Sequence, residues 1–495
     1  METKKKEYFK ITSRMEQEIQ EHGEKTGRSP FVLLDVDCGK GKTTEALKLL
    51  ARRLRPGETG LYLVPRKSLL QSIENKVNEL GLSGRIVVMT HQAFTRNIPD
   101  IVVNMFAWVV VDEVQECILM APYHNRSVEP LEKLARVFNG EGVLMLTGTD
   151  VEIAEMMEQA YGIDVLTYRD KMSYADYLQC DTFGFIPNID TVVDVIYRKL
   201  QKNEKVIFFS SSIKEIEEVQ KKLVGKTMVV ISEYNKNSVR LCGRKRKNIN
   251  ALINDEMVPD GHSVVLATKS ADVGINLNDD GLKTIIVSEL CIATALQEIN
   301  RKRRDAGEKI DLYFLLPNGY RTSSNYEKYV KELKDFNLYK TDYVAWQRKH
   351  DGEYFDGRGI ICTTPGDKDA NYKINVGLVA YYHYMIKTLG GKNVSNYKCA
   401  VERALGWAGV DMLSAGKKTL DELVGIKLAT KEEKRWLIVL FKEMGNYKSA
   451  TYLNLILEAL GLPYKIVTGL HKELPPRNGK RHESRSAWML VRTDQ

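Results

Sequence analysis

The stretch Phe31 to Thr44, Phe-Val-Leu-Leu-Asp-Val-Asp-Cys-Gly-Lys-Gly-Lys-Thr-Thr, constrains the fold of this chain more than any other. The apolar run Phe31 to Leu34 reads as a buried strand. Gly39 and Gly41 then open a turn, and Lys42-Thr43 starts a helix running on from Thr44 to Arg53 in good helix formers. A strand, a glycine turn and a helix start in this order make a phosphate-binding loop. Backbone N–H groups from Gly39 through Thr44, Lys40 included, curl around a phosphate chain, and the helix N-terminus adds its positive end. Lys42 reaches the terminal phosphates and the Thr43 hydroxyl holds a magnesium ion. Val36 stands where the longer pattern has an early glycine, so the signature is the short form Gly39 to Thr43. The competing reading is a surface Gly-Lys turn before an ordinary helix. The strand and helix standing where phosphate binding needs them favour the loop.

Around that stretch the chain alternates. Strand candidates stand at 31–35, 60–64, 85–89, 107–111, 143–147 and 163–166, with helical stretches between. After a polar connection from Tyr168 to Ile189, strands recur at 205–209, 227–231, 263–267, 283–288 and 310–316. Apolar strands joined by helices argue for a parallel sheet covered on both faces. The pattern predicts two α/β domains in tandem, and only the first carries a phosphate loop. The limits read as an N-terminal helix at 1–30, domains at 31–167 and 190–320 with a connection at 168–189, and a mostly helical region at 321–495.

At 495 residues the chain has room for several cores, and its 43% hydrophobic and 28% charged content is that of a globular protein. No apolar run reaches the length of a membrane span, and Met1 to Lys10 is charged, so neither a membrane partner nor a signal peptide is expected. The seven cysteines include no Cys-x-x-Cys pair and no histidine at metal spacing. They read as reduced thiols in the cytoplasm. A net charge of +8 permits a nucleic-acid partner without demonstrating one.

A second motif completes a nucleotide site. Trp108-Val-Val-Val-Asp112-Glu113-Val114-Gln115 is a buried strand ending in two carboxylates. An acid at a strand tip beside the phosphate loop orients magnesium, and its neighbour takes a proton from the attacking water. The alternative is an Asp-Glu helix cap.

Here the chain resembles the superfamily 2 helicases, the DEAD/DEAH-like nucleic-acid-dependent ATPases. Asp112 to Gln115 stands where that family has Asp-Glu-x-His or Asp-Glu-x-Asp, and Gln115 keeps a polar link to the next motif. Gly39 to Thr43 is similar to motif I. Thr147-Gly148-Thr149 is similar to motif III, which couples hydrolysis to domain movement. Ala267-Thr268 to Gly274-Ile275-Asn276 is similar to motif V, placing Gly274 and Asn276 near the nucleotide. Gln297-Glu-Ile-Asn300-Arg301-Lys-Arg303-Arg304 resembles motif VI: Arg301 and Arg304 match the family's arginines, while Asn300 and Arg303 replace its glycines. An arginine presented across a cleft stabilises charge on a transferred phosphate; the alternative is a solvated basic helix. No glutamine motif precedes residue 31, which disfavours the DEAD-box subgroup proper.

The resemblance covers about residues 30 to 320 and implies two RecA-like domains with ATP and Mg2+ between them. It also implies a single strand across both domains, held by Pro65-Arg66, Thr90, Ser210-Ser211 and Thr268. Small hydroxyls and one arginine suit backbone phosphates, though each is equally a cap or turn residue. Gln115 and the altered motif VI look similar to helicases of phages, viruses and mobile elements. That favours single-stranded DNA in replication or recombination, with RNA, or a strand-clamping switch, as rivals. The cluster Arg244-Lys-Arg-Lys247 reads first as a solvated face. At the C-terminus, helices at 431–443 and 447–460, strands at 464–467 and 487–492, and a basic loop with Lys472, Arg477, Lys480, Arg481 and Arg485 have a winged-helix layout at 430–493. The alternative is a helical brace for the motor.

Overall fold

The computed structural model describes residues 8–37, 39–171, 180–223, 227–231, 252, 256–268, 277–302, 309–351, 359–363, 372–405, 424–425, 427–428, 449–459, 463–474 and 483–493. The first sheet contains β1 (Phe31–Val36), β2 (Thr59–Val64), β3 (Ile86–Thr90), β4 (Phe106–Val111), β5 (Gly142–Thr147) and β6 (Val165–Asp170). All pairs are parallel, in the order β3-β2-β4-β5-β1-β6. The second contains β7 (Cys180–Ile186), β8 (Lys205–Ser210), β9 (Thr227–Val230), β10 (Val264–Ala267), β11 (Leu282–Ser288) and β12 (Ile310–Leu315). It too is parallel, in the order β7-β12-β11-β8-β10-β9. The α/β reading therefore holds in both lobes, each a six-stranded parallel sheet flanked by helices.

The alternation of side chains along β1 divides the first lobe into two cores. Val32, Leu34 and Val36 face the helix Lys42–Arg53 and the N-terminal segment, through Leu47, Leu50, Phe9 and Ile19. Phe31 and Leu33 face an apolar cluster that continues through Cys117, Ile118 and the helix Val376–Leu389 to Ile207, Phe209 and Val265 beneath the second sheet. The N-terminal helix, Ser13–Thr26, starts on a Thr12 cap and ends at Gly27, whose φ of 64° only glycine adopts without strain.

Between the two sheets the chain differs from the sequence reading. The supposed connection at 168–189 ends β6 and then supplies β7, which pairs with β12 at the border of the second sheet. β7 escaped notice because Cys-Asp-Thr-Phe-Gly-Phe-Ile has no continuous apolar run. As a border strand it buries Phe183 and Phe185 on one face and Ile186 on the other.

Beyond the second sheet the helices Gly319–Thr341, Tyr343–Lys349, Val376–Leu389 and Val394–Leu405 brace both lobes. Trp346 is fully buried, edge-on to Tyr339 at 5.0 Å and to Tyr372 at 5.1 Å, and its indole N–H donates to Asp335. On the first lobe, Lys373 pairs with Glu129 at 3.1 Å and Lys387 pairs with Glu152. A Cβ at Gly377 would lie 3.1 Å from Ala121 and 3.3 Å from the Cys117 carbonyl, so the helix packs closely against the segment that follows Asp112. On the second lobe, the Tyr397 hydroxyl donates to the Glu289 carbonyl at 2.7 Å.

β13 (Ile361–Thr363) and β14 (Tyr372–Ile374) form an antiparallel pair, and at the C-terminus β15 (Lys427–Leu428), β16 (Tyr464–Leu474) and β17 (Glu483–Arg492) form an antiparallel sheet in the order β15-β17-β16. The helix Ala450–Ala459 docks on β16, where Asn454 accepts from the Ile466 N–H at 2.6 Å and donates to its carbonyl at 2.9 Å. Both hairpin strands run longer than the sequence suggested. The expected helix at 431–443, the cluster Arg244–Lys247 and the loop residues Arg477, Lys480 and Arg481 lie outside the described residues. Among the described residues no helix is long and apolar enough to cross a membrane.

Candidate nucleotide site

The order of the first sheet brings three motifs side by side. β5 lies between β1 and β4, so the tip carrying Thr147 separates the phosphate loop from Asp112. The register sets Asp35 opposite Thr147, and the Val114 N–H donates to the Leu146 carbonyl at 2.9 Å. In open parallel sheets ligands bind at the carboxyl ends of the strands.

Gly39 and Gly41 have φ of 79° and 83°, the left-handed region that a Cβ would disfavour, and they turn the chain from β1 into the helix. Lys42 lies across the loop, its ammonium donating to the carbonyls of Val36 at 2.6 Å and Asp37 at 3.2 Å. Lys40 pairs with Asp170 at 2.7 Å. The N-terminal segment covers the loop: the Phe9 N–H donates to the Lys40 carbonyl, and the Tyr8 ring lies 3.2 Å from where a Gly41 Cβ would stand.

Asp112 is buried, accepting from the Tyr62 hydroxyl at 2.9 Å and from the Glu113 N–H at 3.0 Å. Burial, with repulsion from Glu113 second, raises its pKa to about 6, while Tyr62 and Lys42 oppose the rise. The Tyr62 hydroxyl also bonds Thr43, so one phenol joins the threonine to the carboxylate. A threonine hydroxyl beside a single carboxylate is the hard-oxygen donor set that suits magnesium, which takes its remaining ligands from phosphates and water. Thr43 and Asp112 thus fit such an ion. Tyr62 went unseen in the sequence because it occupies an ordinary inward position of an apolar strand.

Glu113 has a φ of 50°, a strained setting for a residue with a Cβ. Its carboxylate starts a chain of hydrogen bonds. Gln115, fully buried, donates to Glu113 at 2.5 Å and accepts from the Thr147 hydroxyl at 2.7 Å. Thr147 accepts from the Thr149 N–H at 3.0 Å. The Thr149 hydroxyl accepts from Gln297 of the second lobe at 3.4 Å. Gln297 sits on the helix Ile292–Ile299, which follows β11. His91 supports the same strand tip through the Asp112 carbonyl at 3.1 Å, and burial lowers its pKa to about 4, which keeps it neutral.

Arg301 lines a small apolar cavity of the second lobe with Ile207, Phe209, Val265 and Leu277, and its carbonyl accepts from the Leu277 N–H. Gln297 of this segment crosses to the first lobe. Gly274, Asn276 and Arg304 lie outside the described residues. Thr90 is buried and caps the helix His91–Asn97, accepting from the Ala93 N–H at 3.1 Å. Ser210 is buried and donates to Glu215 at 2.6 Å, and Thr268 is buried at the end of β10. Pro65 and Arg66 are half-buried after β2, with Arg66 3.9 Å from Glu116, and Ser211 accepts from Arg321 at 2.9 Å. The sequence reading also passed over Asp35, Asp37 and Lys171, although carboxylates within a buried strand are a signal in themselves.

No protein-family profile and no curated protein sequence matches the chain. Among solved structures it is similar to the DUF1998 helicase MrfA bound to DNA, at 13% identity and a TM-score of 0.43, covering 64% of this chain and 53% of that one. The Mycobacterium smegmatis helicase Lhr bound to ssDNA and AMP-PNP aligns at 14% identity over 92% of this chain and 65% of that one, with a TM-score of 0.41. The DEAD-box helicase Mss116 bound to ssRNA and UDP-BeF aligns at 14% identity over 64% and 72%, with a TM-score of 0.41.

Proposed function

We propose that this chain is an ATP-dependent motor on nucleic acid, a helicase or translocase that turns hydrolysis into relative movement of its two lobes. The observation that carries the reading is the hydrogen-bond chain from Glu113 through Gln115, Thr147 and Thr149 to Gln297. It joins the carboxylate placed to accept a proton to a side chain of the other lobe, so the state of one is communicated to the other.

In this reading Lys42 and the loop N–H groups would bind the phosphates, and Asp112 with Thr43 would hold magnesium. The ion would neutralise phosphate charge. Glu113 accepts the proton of the attacking water. Arg301 leaves its cavity, and Arg304 joins it, when the lobes close on the nucleotide. The strand would run over Arg66 and Ser211, with the hairpin of β16 and β17 as a further winged-helix-like contact. Single-stranded DNA in replication or recombination of a phage or mobile element is the favoured substrate; RNA is the second reading.

The test is ATP turnover with single-stranded DNA, duplex DNA and RNA as stimulants, beside strand displacement on a tailed duplex. Stimulation with displacement supports a motor, and stimulation without displacement supports a clamp. Turnover indifferent to every nucleic acid overturns the reading.

A further inference from the structure

β1 and the residue after it carry two carboxylates on one face, Asp35 and Asp37, that are 3% and 6% exposed. Buried carboxylates need compensation. The neighbouring strand β6 supplies it, since the register Asp35 to Arg169 and Val36 to Asp170 delivers the next residue, Lys171, beside the loop. The Lys171 ammonium lies 2.6 Å from Asp35 and 3.7 Å from Asp37, and it donates to the Gly148 carbonyl at 2.6 Å. One side chain therefore spans the tips of β6, β1 and β5. Arg169 also reaches Asp35, at 3.6 Å, and Asp150 at 3.1 Å, but it is 60% exposed and water screens it.

Asp37 ties Lys171 to the phosphate loop. Its carbonyl receives the Lys42 ammonium while its carboxylate faces Lys171, and its N–H donates to the Asp170 carbonyl at 3.3 Å. Gly148 stands between Thr147 and Thr149, the middle of the hydrogen-bond chain that ends at Gln297. In sequence, Lys171 is followed by the connection to the second lobe.

We propose that Lys171 is a positioning residue that locks the phosphate loop to the Thr147–Thr149 step and anchors both at the start of the connection between the lobes. The proposal rests on the nucleotide reading above. Simple neutralisation of Asp35 would need no contact with Gly148, and that separates the two roles.

The full chain is tested as Lys171→Met, Lys171→Arg and the double variant Asp35→Asn with Lys171→Met. The double variant restores the charge balance should the single one fail to fold. Lys171→Met is expected to lower kcat for ATP about tenfold while KM moves by less than roughly threefold. Lys171→Arg should recover most of the rate, and the double variant should fold yet stay slow. A double variant as fast as the wild type reduces Lys171 to a counter-ion and overturns the proposal, as does an unchanged kcat in Lys171→Met. Hydrogen exchange with AMP-PNP and magnesium gives a readout without turnover. In the wild type, segments 37–45 and 147–152 should gain protection together, and in Lys171→Met only the first should. Equal responses in both proteins sink the role of Lys171 alone. A wild type that neither hydrolyses ATP nor gains protection at 37–45 sinks the nucleotide reading, and this proposal with it.

Discussion

The two lobes share a six-stranded parallel sheet, yet their strand tips differ in what they leave for a ligand. In the first, β1 ends in a glycine loop, Asp112 is buried with its pKa raised to about 6, and Glu113 is held at a strained φ of 50°. In the second, β8 ends in Ser210, and Glu215 accepts from the hydroxyls of Ser210 and Ser288, each at 2.6 Å, with Arg321 at 3.5 Å. The first tip holds charge that a cation and phosphates would relieve. In the second, Glu215 already has its partners from within the lobe, so the fold supplies an edge and the tip residues decide whether it does chemistry.

Removing the loop lysine should break this contrast most severely. Lys42→Ala is expected to cut ATP turnover by a factor on the order of a hundred or more. The fold should survive, because among the described residues the Lys42 ammonium donates to the backbone carbonyls of Val36 and Asp37 and to no core side chain. A turnover assay beside a thermal melt checks both. If turnover persists in the variant, the catalytic edge is not in the first lobe.

Gln297→Ala probes the hydrogen bond that joins the two tips. Turnover should fall about tenfold with little change in nucleotide affinity, measured by titration with a fluorescent ATP analogue. A loss of affinity instead would make Gln297 part of the binding site.

Asp112 ties the first tip to pH. Its folded pKa, about 6, lies above the ordinary carboxylate value, so the ligand-free protein loses stability as pH rises from the ordinary value through 6. Magnesium-nucleotide affinity should move the other way, weakening by up to about tenfold per unit as pH falls below 6. Asp112→Asn should abolish the binding slope and flatten the stability slope, in binding isotherms and in urea titrations.

Glu215→Ala should harm the second lobe only through stability. Losing the acceptor of two buried hydroxyls costs about 1–3 kcal/mol in denaturant unfolding, without altering nucleotide affinity. The smallest effect is expected from Thr90→Ala, a lost helix cap worth about 1 kcal/mol. Strand stimulation should be unchanged; if it drops, Thr90 touches nucleic acid after all.

Much of this was legible in the residues. The apolar runs of β1, β2, β4 and β5, and those of β8, β10 and β11, were readable because a parallel strand buried on both faces must be apolar throughout. Gly39 and Gly41 were readable because left-handed backbone selects glycine. β7 was not, since a border strand can alternate and carry polar residues.

The sequence by itself determined the local chemistry: where the chain must turn around a phosphate, and where two carboxylates must end a buried strand. Only the tertiary structure decided the partners. That Tyr62 joins Thr43 to Asp112, that Gln115 reaches Glu113 and Thr147, and that Lys171 bridges three strand tips all depend on strand order and register. Backbone conformation is set by neighbours along the chain, whereas a buried polar group takes whatever partner the packing brings within about 3 Å.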